Sequence, residues 1–549
     1  MKTLHKKYQS IFSSLIFAIT LLIFILSFLS LSSCRSAEHD SIVAGGGMAA
    51  VKINLLGSDY ATSDKLSNQI SLKEAGLLVK GNIQRQSKMI TPSLFFEAEL
   101  ASSNNVAKKT DNASTEFSAF VAGDQIGAGM KFRIIAYRQD NSYQAHQDYT
   151  VGEQAQSLML DSGKAYTIIA YSYGSTSVLP EISTGEMTNL SQAKINYDDN
   201  NKDLMYQKIE GFIPDGNNPN NKVDIKLRHK LSQITTVINS YIGDITEISW
   251  ADVRPHHPEG VLSLSNGIVS RTYESTERLT FSGTFPTATA TANPVLINAD
   301  TGGSLTGLFS ANLTINGTGN KTISLPNSFK ITPEYKSSLT INLKTCGAYL
   351  GPNNTQWKEF MCHNLGADMN DDPFTPSAAI HGAKYQWGAQ TGETGRYISQ
   401  ADDQSNSGSI SEWNLTPKPD GSWNDTTKTA NDPCPSGYRV PTSTQWQAVI
   451  ANNNVERVGS WQDGAGNYAS ALYFKNPSNI RTLMLPTAGY RSRDYGWLSD
   501  RGYFGFYWSS SSEVNPDGYP YAYYLLFSSM REVVSNSRTN GFPVKCIAE

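Results

Sequence analysis

Five cysteines are the residues of this chain best suited to covalent chemistry, and their spacing splits them into two groups. Cys34 stands alone behind a long apolar run, while Cys346, Cys362, Cys434 and Cys546 all fall beyond residue 345. Leu31-Ser32-Ser33-Cys34 has the small residues of a bacterial lipobox, which predicts cleavage and lipidation at Cys34. Acyl chains there would hold the mature chain in outer-membrane lipid through their buried methylenes. Lys2, Lys6 and Lys7 form the basic start of a signal peptide, and residues 11–31 are almost wholly apolar. A run of that length also fits a retained anchor helix, which is the alternative. Arg35, directly after Cys34, does not match a signal for inner-membrane retention. The expected place is therefore the cell outer membrane, lipid-anchored at the cell surface. The other four cysteines, in an exported chain, predict two disulfides with three connectivities open. A zinc site built from all four thiolates lacks any CxxC knuckle and would sit in an oxidising compartment.

A second group of residues is suited to binding. Arg491, Arg493, Tyr495, Trp497, Arg501 and Tyr503 gather stacking faces and fixed donors in a Gly-punctuated stretch. Such a surface grips sugars or peptides, although an ordinary Tyr-rich loop has the same composition. His229 has no second His or paired carboxylate beside it and reads as structural. Asp368, Asp371 and Asp372 offer hard oxygen ligands for calcium, but Asn370 and Pro373 among them mark turn formers. No nucleophile, base and orienter assemble, so the sequence predicts neither an enzyme nor a bound metal or cofactor.

The elements that must position these residues are mostly strands. Hydrophobic content of 39%, with 43 Gly, 27 Tyr and only 17% charged residues, fits an extracellular β-rich protein. Its length of 549 residues predicts about three or four domains. A net charge of −4 and a pI near 6.1 leave no electrostatic footprint for nucleic acid. After a polar, Gly-rich tether come short alternating strands at 50–55, 116–121, 130–137 and 165–173. Pro214-Asp215-Gly216-Asn217-Asn218-Pro219 is turn-rich and reads as a domain boundary. Alternation over 223–238 then predicts long β structure opening a second sandwich. Near the other end, Thr442 and Gln445 have capping-box spacing, and Pro441 with Trp446 is placed as a hydrophobic staple. Trp446, Val449 and Ile450 then share one buried helical face.

Two stretches carry resemblances to known families. Cys434-Pro435-Ser436-Gly437-Tyr438-Arg439-Val440-Pro441-Thr442, running on to Trp446, resembles the signature of the Fibrobacter succinogenes major paralogous domain. The likeness extends through Met361-Cys362-His363-Asn364-Leu365-Gly366, Tyr385-Gln386-Trp387-Gly388, Leu485-Pro486-Thr487-Ala488-Gly489-Tyr490-Arg491, Tyr507-Trp508-Ser509-Ser510 and Gly541-Phe542-Pro543-Val544-Lys545-Cys546. That family resembles the C-type-lectin-like fold, shared with formylglycine-generating proteins. The resemblance implies a Cys434–Cys546 bridge, which leaves Cys346 to pair with Cys362. It also places Tyr385, Trp387, Trp446 and Trp508 in a core. Trp423-Asn424-Asp425 and Asn515-Pro516-Asp517 echo lectin calcium triplets, but in reversed order along the chain.

Lys202-Asp203-Leu204-Met205-Tyr206, followed by Leu227-Arg228-His229-Lys230-Leu231-Ser232-Gln233-Ile234, resembles fimbrillin-like proteins of Bacteroidia, including anchor and tip pilins. Members of that family are exported lipoproteins built from two transthyretin-like β-sandwiches. Structural pilins among them are clipped after a basic residue and joined by strand exchange, an incoming strand completing an open sheet edge. Arg85 is the processing site this suggests. The two resemblances together imply a mainly β chain, with two transthyretin-like β-sandwiches followed by an α+β C-type-lectin-like domain. The expected division is 1–33 signal peptide, 34–48 tether, 49–215 and 222–344 sandwiches, and 345–549 lectin-like domain. A strand near 544–547 held by Cys546 is poorly placed to be donated onward, which suits a pilus tip or accessory adhesin better than a stalk subunit. The implied partners are other pilin subunits by strand exchange and a host or bacterial surface glycan or protein. A non-polymerised surface lipoprotein is the alternative, ahead of a formylglycine-generating-type enzyme.

Overall fold

The computed structural model describes residues 47–61, 78–80, 83–102, 123–201, 203–477 and 479–549. Cys34, the signal segment and the strand expected at 116–121 lie outside the described residues. Among those described, strands dominate, as the alternating pattern predicts. In Lys222–His229 and Ser232–Ser240 every second side chain is buried, so each strand lays one face on a core.

The first sheet runs in the order Tyr143–Thr150, Lys131–Arg138, Tyr166–Ser172, Met205–Phe212, Lys222–His229, Met48–Asp59 and Leu158–Asp161. Its two outer strands touch, so the sheet curls toward a barrel around Val51, Ile134, Ile168, Ile225 and Leu227. The opposite face, with Ile135, Tyr137, Ile169 and Tyr171, packs on a three-stranded sheet of Lys194–Asp198, Glu259–Ser263 and Val269–Arg271.

A second sandwich is built on Ser232–Ser240, Lys336–Thr345, Leu94–Ser102 and Ile83–Met89, paired in that order. It faces a sheet of Ser275–Arg278, Ile245–His256, Gly307–Ile315 and Thr318–Phe329. Phe96, Leu100, Ile238, Phe309, Leu313 and Ile341 lie between them.

The expected division at 215–222 does not fall between these sheets. Lys222–His229 pairs in parallel with Met48–Asp59 and stays in the first sheet. Only Lys230 and Leu231 then separate it from Ser232–Ser240 in the second, so the 223–238 run is two strands in two bodies. Leu94–Ser102, expected within 49–215, instead pairs with Lys336–Thr345. Its inward residues Phe96, Ala98 and Leu100 complete that core and would have none to fill in the first sheet. At the crossing point His229 is buried, stacks on Tyr60 at 4.0 Å between ring centroids and bonds to Asp203, while Lys230 pairs with Glu334. That is a structural role.

Lys336–Thr345 continues through Cys346 into Gly347–Gly351, the first strand of the C-terminal region. Short sheets and two helices, Gln400–Ser405 and Ser443–Asn452, make up this part. Thr442 caps Ser443–Asn452 by accepting from the Gln445 amide at 3.1 Å, and the Gln445 side chain accepts from the Thr442 amide at 2.8 Å. Trp446, Trp387 and Trp508 are fully buried, and each indole donates to a backbone carbonyl, of Trp508, Ser509 and Tyr385 respectively. Bridges join Cys346 to Cys362 and Cys434 to Cys546, with Cα atoms 5.1 and 5.9 Å apart. The first lies at the junction with the second sandwich, beside Phe95 and Phe374. The second ties the turn before the capped helix to the strand pair Tyr438–Arg439 and Ile547–Ala548.

Candidate functional site

The Arg491–Tyr503 stretch is held from beneath by a buried ionic cluster. Ser399 starts the short helix Gln400–Ser405 by accepting from the Asp402 amide, which turns Asp403 inward until it is 1% exposed. Around its carboxylate stand Arg491, with Nε 2.7 Å from Oδ1, Arg501, with Nη2 2.5 Å from Oδ2, and Lys384. Burial alone would raise the Asp403 carboxyl, but Lys384, Arg501 and Arg491 outweigh it and hold it at about 2. Burial pulls the Lys384 ammonium down to about 8 despite the Asp403 carboxylate beside it. His381 is also buried and is pushed down to about 3 by burial, then by Lys384 and Arg501, so its ring is neutral and packs edge-on against Tyr468.

One carboxylate cannot satisfy three cations, and backbone carbonyls with the Tyr468 hydroxyl take most of the other guanidinium donors. Arg491 donates to the carbonyls of Gly408, Gly496, Asp403 and Asn406 at 2.5–3.1 Å. Arg501 donates to the Ala465 carbonyl at 2.6 Å and the Tyr468 hydroxyl at 2.9 Å. The planar guanidinium suits this role, since its five donors point in fixed directions. Segments 403–408, 465–468 and 491–496 are thereby pinned to one another.

On this base sits a presented turn. Tyr490–Arg491 pairs with Leu498–Ser499, and the Ser492 amide donates to the Trp497 carbonyl at 2.8 Å. Gly496 has φ +71° and a Cβ there would lie 2.9 Å from Ile410, so glycine is required both by conformation and by space. The Ile410 amide donates to the Tyr495 carbonyl and the Leu498 amide to the Ser407 carbonyl, docking the turn on 407–410. Tyr495, Trp497 and Tyr503 are 65%, 51% and 40% exposed. Arg493 is exposed beside Asp494 at 3.5 Å, a contact of little energetic weight.

The structure therefore divides the predicted binding set. Arg493, Trp497 and Tyr503 lie at the surface together with Tyr495, whereas Arg491 and Arg501 are buried and cannot meet a ligand. They position the loop because their Nη groups and the Arg491 Nε are engaged by Asp403, backbone carbonyls and the Tyr468 hydroxyl. Asp403 and Lys384 went unnoticed in the sequence. The available signal was Lys384 inside Ala383-Lys384-Tyr385-Gln386-Trp387, where a charge in a buried block demands a partner.

The remaining sequence candidates take other roles. Arg85 lies mid-strand in Ile83–Met89, paired on both sides by Leu78–Lys80 and Leu94–Ser102, with its side chain 2.7 Å from Glu99. A protease needs an extended, unpaired segment, so the folded chain does not present Arg85 for cleavage. Asp368 and Asp372 accept from the amides of Asn370 and Phe374, and Asp371 accepts from Ser377. These are turn contacts. Asp425 accepts from Ser510 at 2.6 Å and Ser511 at 2.8 Å. Asp199, His256 and Glu277 come together as a group the sequence did not suggest. There His256 Nδ1 lies 3.3 Å from the Asn298 amide, which leaves the proton on Nε2, 3.1 Å from Asp199. A ring in that tautomer offers Asp199 a hydrogen bond and has no free lone pair for a metal.

No protein-family model matches the sequence, and no curated protein matches it. Solved structures similar to this chain include proteins of Bacteroidales. A candidate cell adhesion protein of Bacteroides uniformis aligns over 40% of this chain and 90% of its own, at 16% identity and a TM-score of 0.29. The tip fimbrial protein of Porphyromonas gingivalis, truncated at its C-terminus, aligns over 39% of this chain and 92% of its own, at 9% identity and a TM-score of 0.26. A fimbrial assembly protein of Parabacteroides distasonis aligns over 42% of this chain and 86% of its own, at 10% identity and a TM-score of 0.26.

Proposed function

We propose that this chain is a lipid-anchored protein of the cell outer membrane that acts as a pilus tip or accessory adhesin. In this reading 345–549 is a C-type-lectin-like domain that binds a surface glycan or protein. The observation that carries it is the pairing of exposed Tyr495, Trp497 and Tyr503 with a fully buried base of Asp403, Lys384, Arg491 and Arg501. Tyr495 and Trp497 on the presented turn, and Tyr503 on the tight turn after it, are exposed aromatics on rigid backbone, which lose little entropy on binding and supply stacking faces. Supporting the tip placement, Gly541–Phe542 pairs with Lys384–Gln386, Ile547–Ala548 pairs with Tyr438–Arg439, and Cys546 is bridged to Cys434. That segment is not free to leave as a donor strand, so subunit contact would come through an acceptor edge. The four cysteines a thiol-dependent oxidase would draw on are all tied in bridges.

The experiment is glycan and host-protein array binding by the chain carrying both Trp497→Ala and Tyr503→Ala. The proposal predicts loss of at least one wild-type signal without loss of fold. Isolation of surface pili followed by mass spectrometry tests the placement, with the chain expected as a minor component.

A further inference from the structure

The junction between the second sandwich and the C-terminal region holds a cleft that shares no lining residue with the Trp497 turn. Its volume of about 320 Å³ is at the small end of the range for sites that hold a small molecule. Its floor is Tyr349 and Trp357, ring centroids 5.1 Å apart and edge to face, and its rim is Tyr241, 54% exposed. Its polar walls are Lys344 and Glu359 on one side and Asn476 and Arg481 on the other. A larger cleft of about 510 Å³ shares Lys344, Ile480 and Arg481 with it, so the two form one groove along these three residues.

The junction is built to keep its shape. Cys346–Cys362 sits in it, the Cys346 and Cys362 amides donate to the carbonyls of Ser93 and Pro92, and Ser93 Oγ donates to Glu359 at 2.5 Å and accepts from the Tyr438 hydroxyl at 2.8 Å. The charge pattern selects the ligand. Lys344 is paired with Glu97 at 2.5 Å, Arg481 grips Glu456 through two nitrogens at 2.6 and 3.2 Å, and Glu359 is engaged by Ser93. Lys344 and Arg481 are thus offset by carboxylates, while the Ser93 hydroxyl leaves the Glu359 charge in place, so the small cleft holds no spare cation for an acidic ligand. What remains is an aromatic face flanked by donors and acceptors, which matches the apolar CH face and hydroxyl edge of a sugar ring.

We propose that this cleft binds a neutral saccharide, independently of the Trp497 surface. The test is saturation-transfer NMR of the full chain with neutral hexose oligosaccharides, sialylated and sulfated counterparts, and an unstructured peptide. Tyr241→Ala removes an exposed ring and leaves the fold intact, Ile480→Trp fills the groove, and the Trp497→Ala/Tyr503→Ala pair serves as the control. The expected result is saturation of at least one neutral oligosaccharide, weakened about tenfold by Tyr241→Ala, the worth of one aromatic contact, and abolished by Ile480→Trp. The control pair leaves it unchanged. Binding of the acidic sugars or the peptide in preference, binding indifferent to Tyr241 and Ile480, or no binding to any neutral sugar overturns the proposal.

Discussion

Replacing Asp403 by Asn keeps the shape of the side chain and removes the one anion facing Lys384, Arg491 and Arg501. All four residues are at most 1% exposed, so water cannot take over the lost role. Breaking a buried ion pair by removing one partner costs about 3–5 kcal/mol, and here three cations are left behind. In a domain of this size each kcal/mol lowers the melting temperature by about 2–4 °C, giving a fall of roughly 6–20 °C. The native carboxyl also ties stability to acid. Its pKa lies at about 2, below an unfolded value near 3.8, so the folded state binds fewer protons between them. That stabilisation is present in full above pH 4 and disappears as the pH falls toward 2, a span worth about 2–3 kcal/mol. Calorimetry of the whole chain reads both effects, because the C-terminal transition is marked by its sensitivity to reductant through the two bridges. Asp403→Asn is expected to melt early and to show a weaker acid dependence below pH 4. A melting temperature within about 2 °C of wild type would refute the claim that this cluster pins the loop.

Other outcomes follow from the same geometry. Trp446→Ala empties a fully buried site and should cost about 3–5 kcal/mol, measured by denaturant unfolding. Lys545 is buried with carbonyl partners only, those of Cys362 and Met484, and burial lowers its ammonium to about 7. The unfolded chain then binds more protons between pH 7 and about 10.4, so stability rises with pH across that window, and Lys545→Met should flatten the rise in melts taken from pH 7 to 10. Opening Cys434–Cys546, 112 residues apart, should destabilise more than opening Cys346–Cys362, 16 apart, by about 1–2 kcal/mol on loop entropy, read by melts of the paired Cys→Ser variants.

Much of the fold is legible in the sequence because period-two alternation and turn residues are local signals. The Thr442–Gln445 capping box appears as its spacing predicts, and the indoles of the Tyr385–Trp387 and Tyr507–Trp508 blocks are core residues. What alternation cannot carry is the pairing partner. Leu94–Ser102 reads like any amphipathic strand, and nothing local reveals that it completes a sheet with Lys336–Thr345. The Arg491–Tyr503 stretch shows the same limit at the level of a site. Arg491, Arg493 and Arg501 look alike in sequence, yet two are consumed by Asp403, a residue 88 positions before the first, and one is exposed. Local chemistry singled out the loop, and only the tertiary contacts sorted its residues into exposed and loop-holding.

The central claim is that the exposed aromatics of this pinned stretch carry binding while the buried cluster carries shape. Array binding and melting of the Trp497→Ala/Tyr503→Ala chain, measured side by side with wild type, test it most directly. The account predicts loss of at least one array signal with a melting temperature within about 2 °C of wild type, because surface rings carry stacking energy but little packing. Retention of every array signal would place the ligand elsewhere, and an early melt would show these rings to be core; either result contradicts the account.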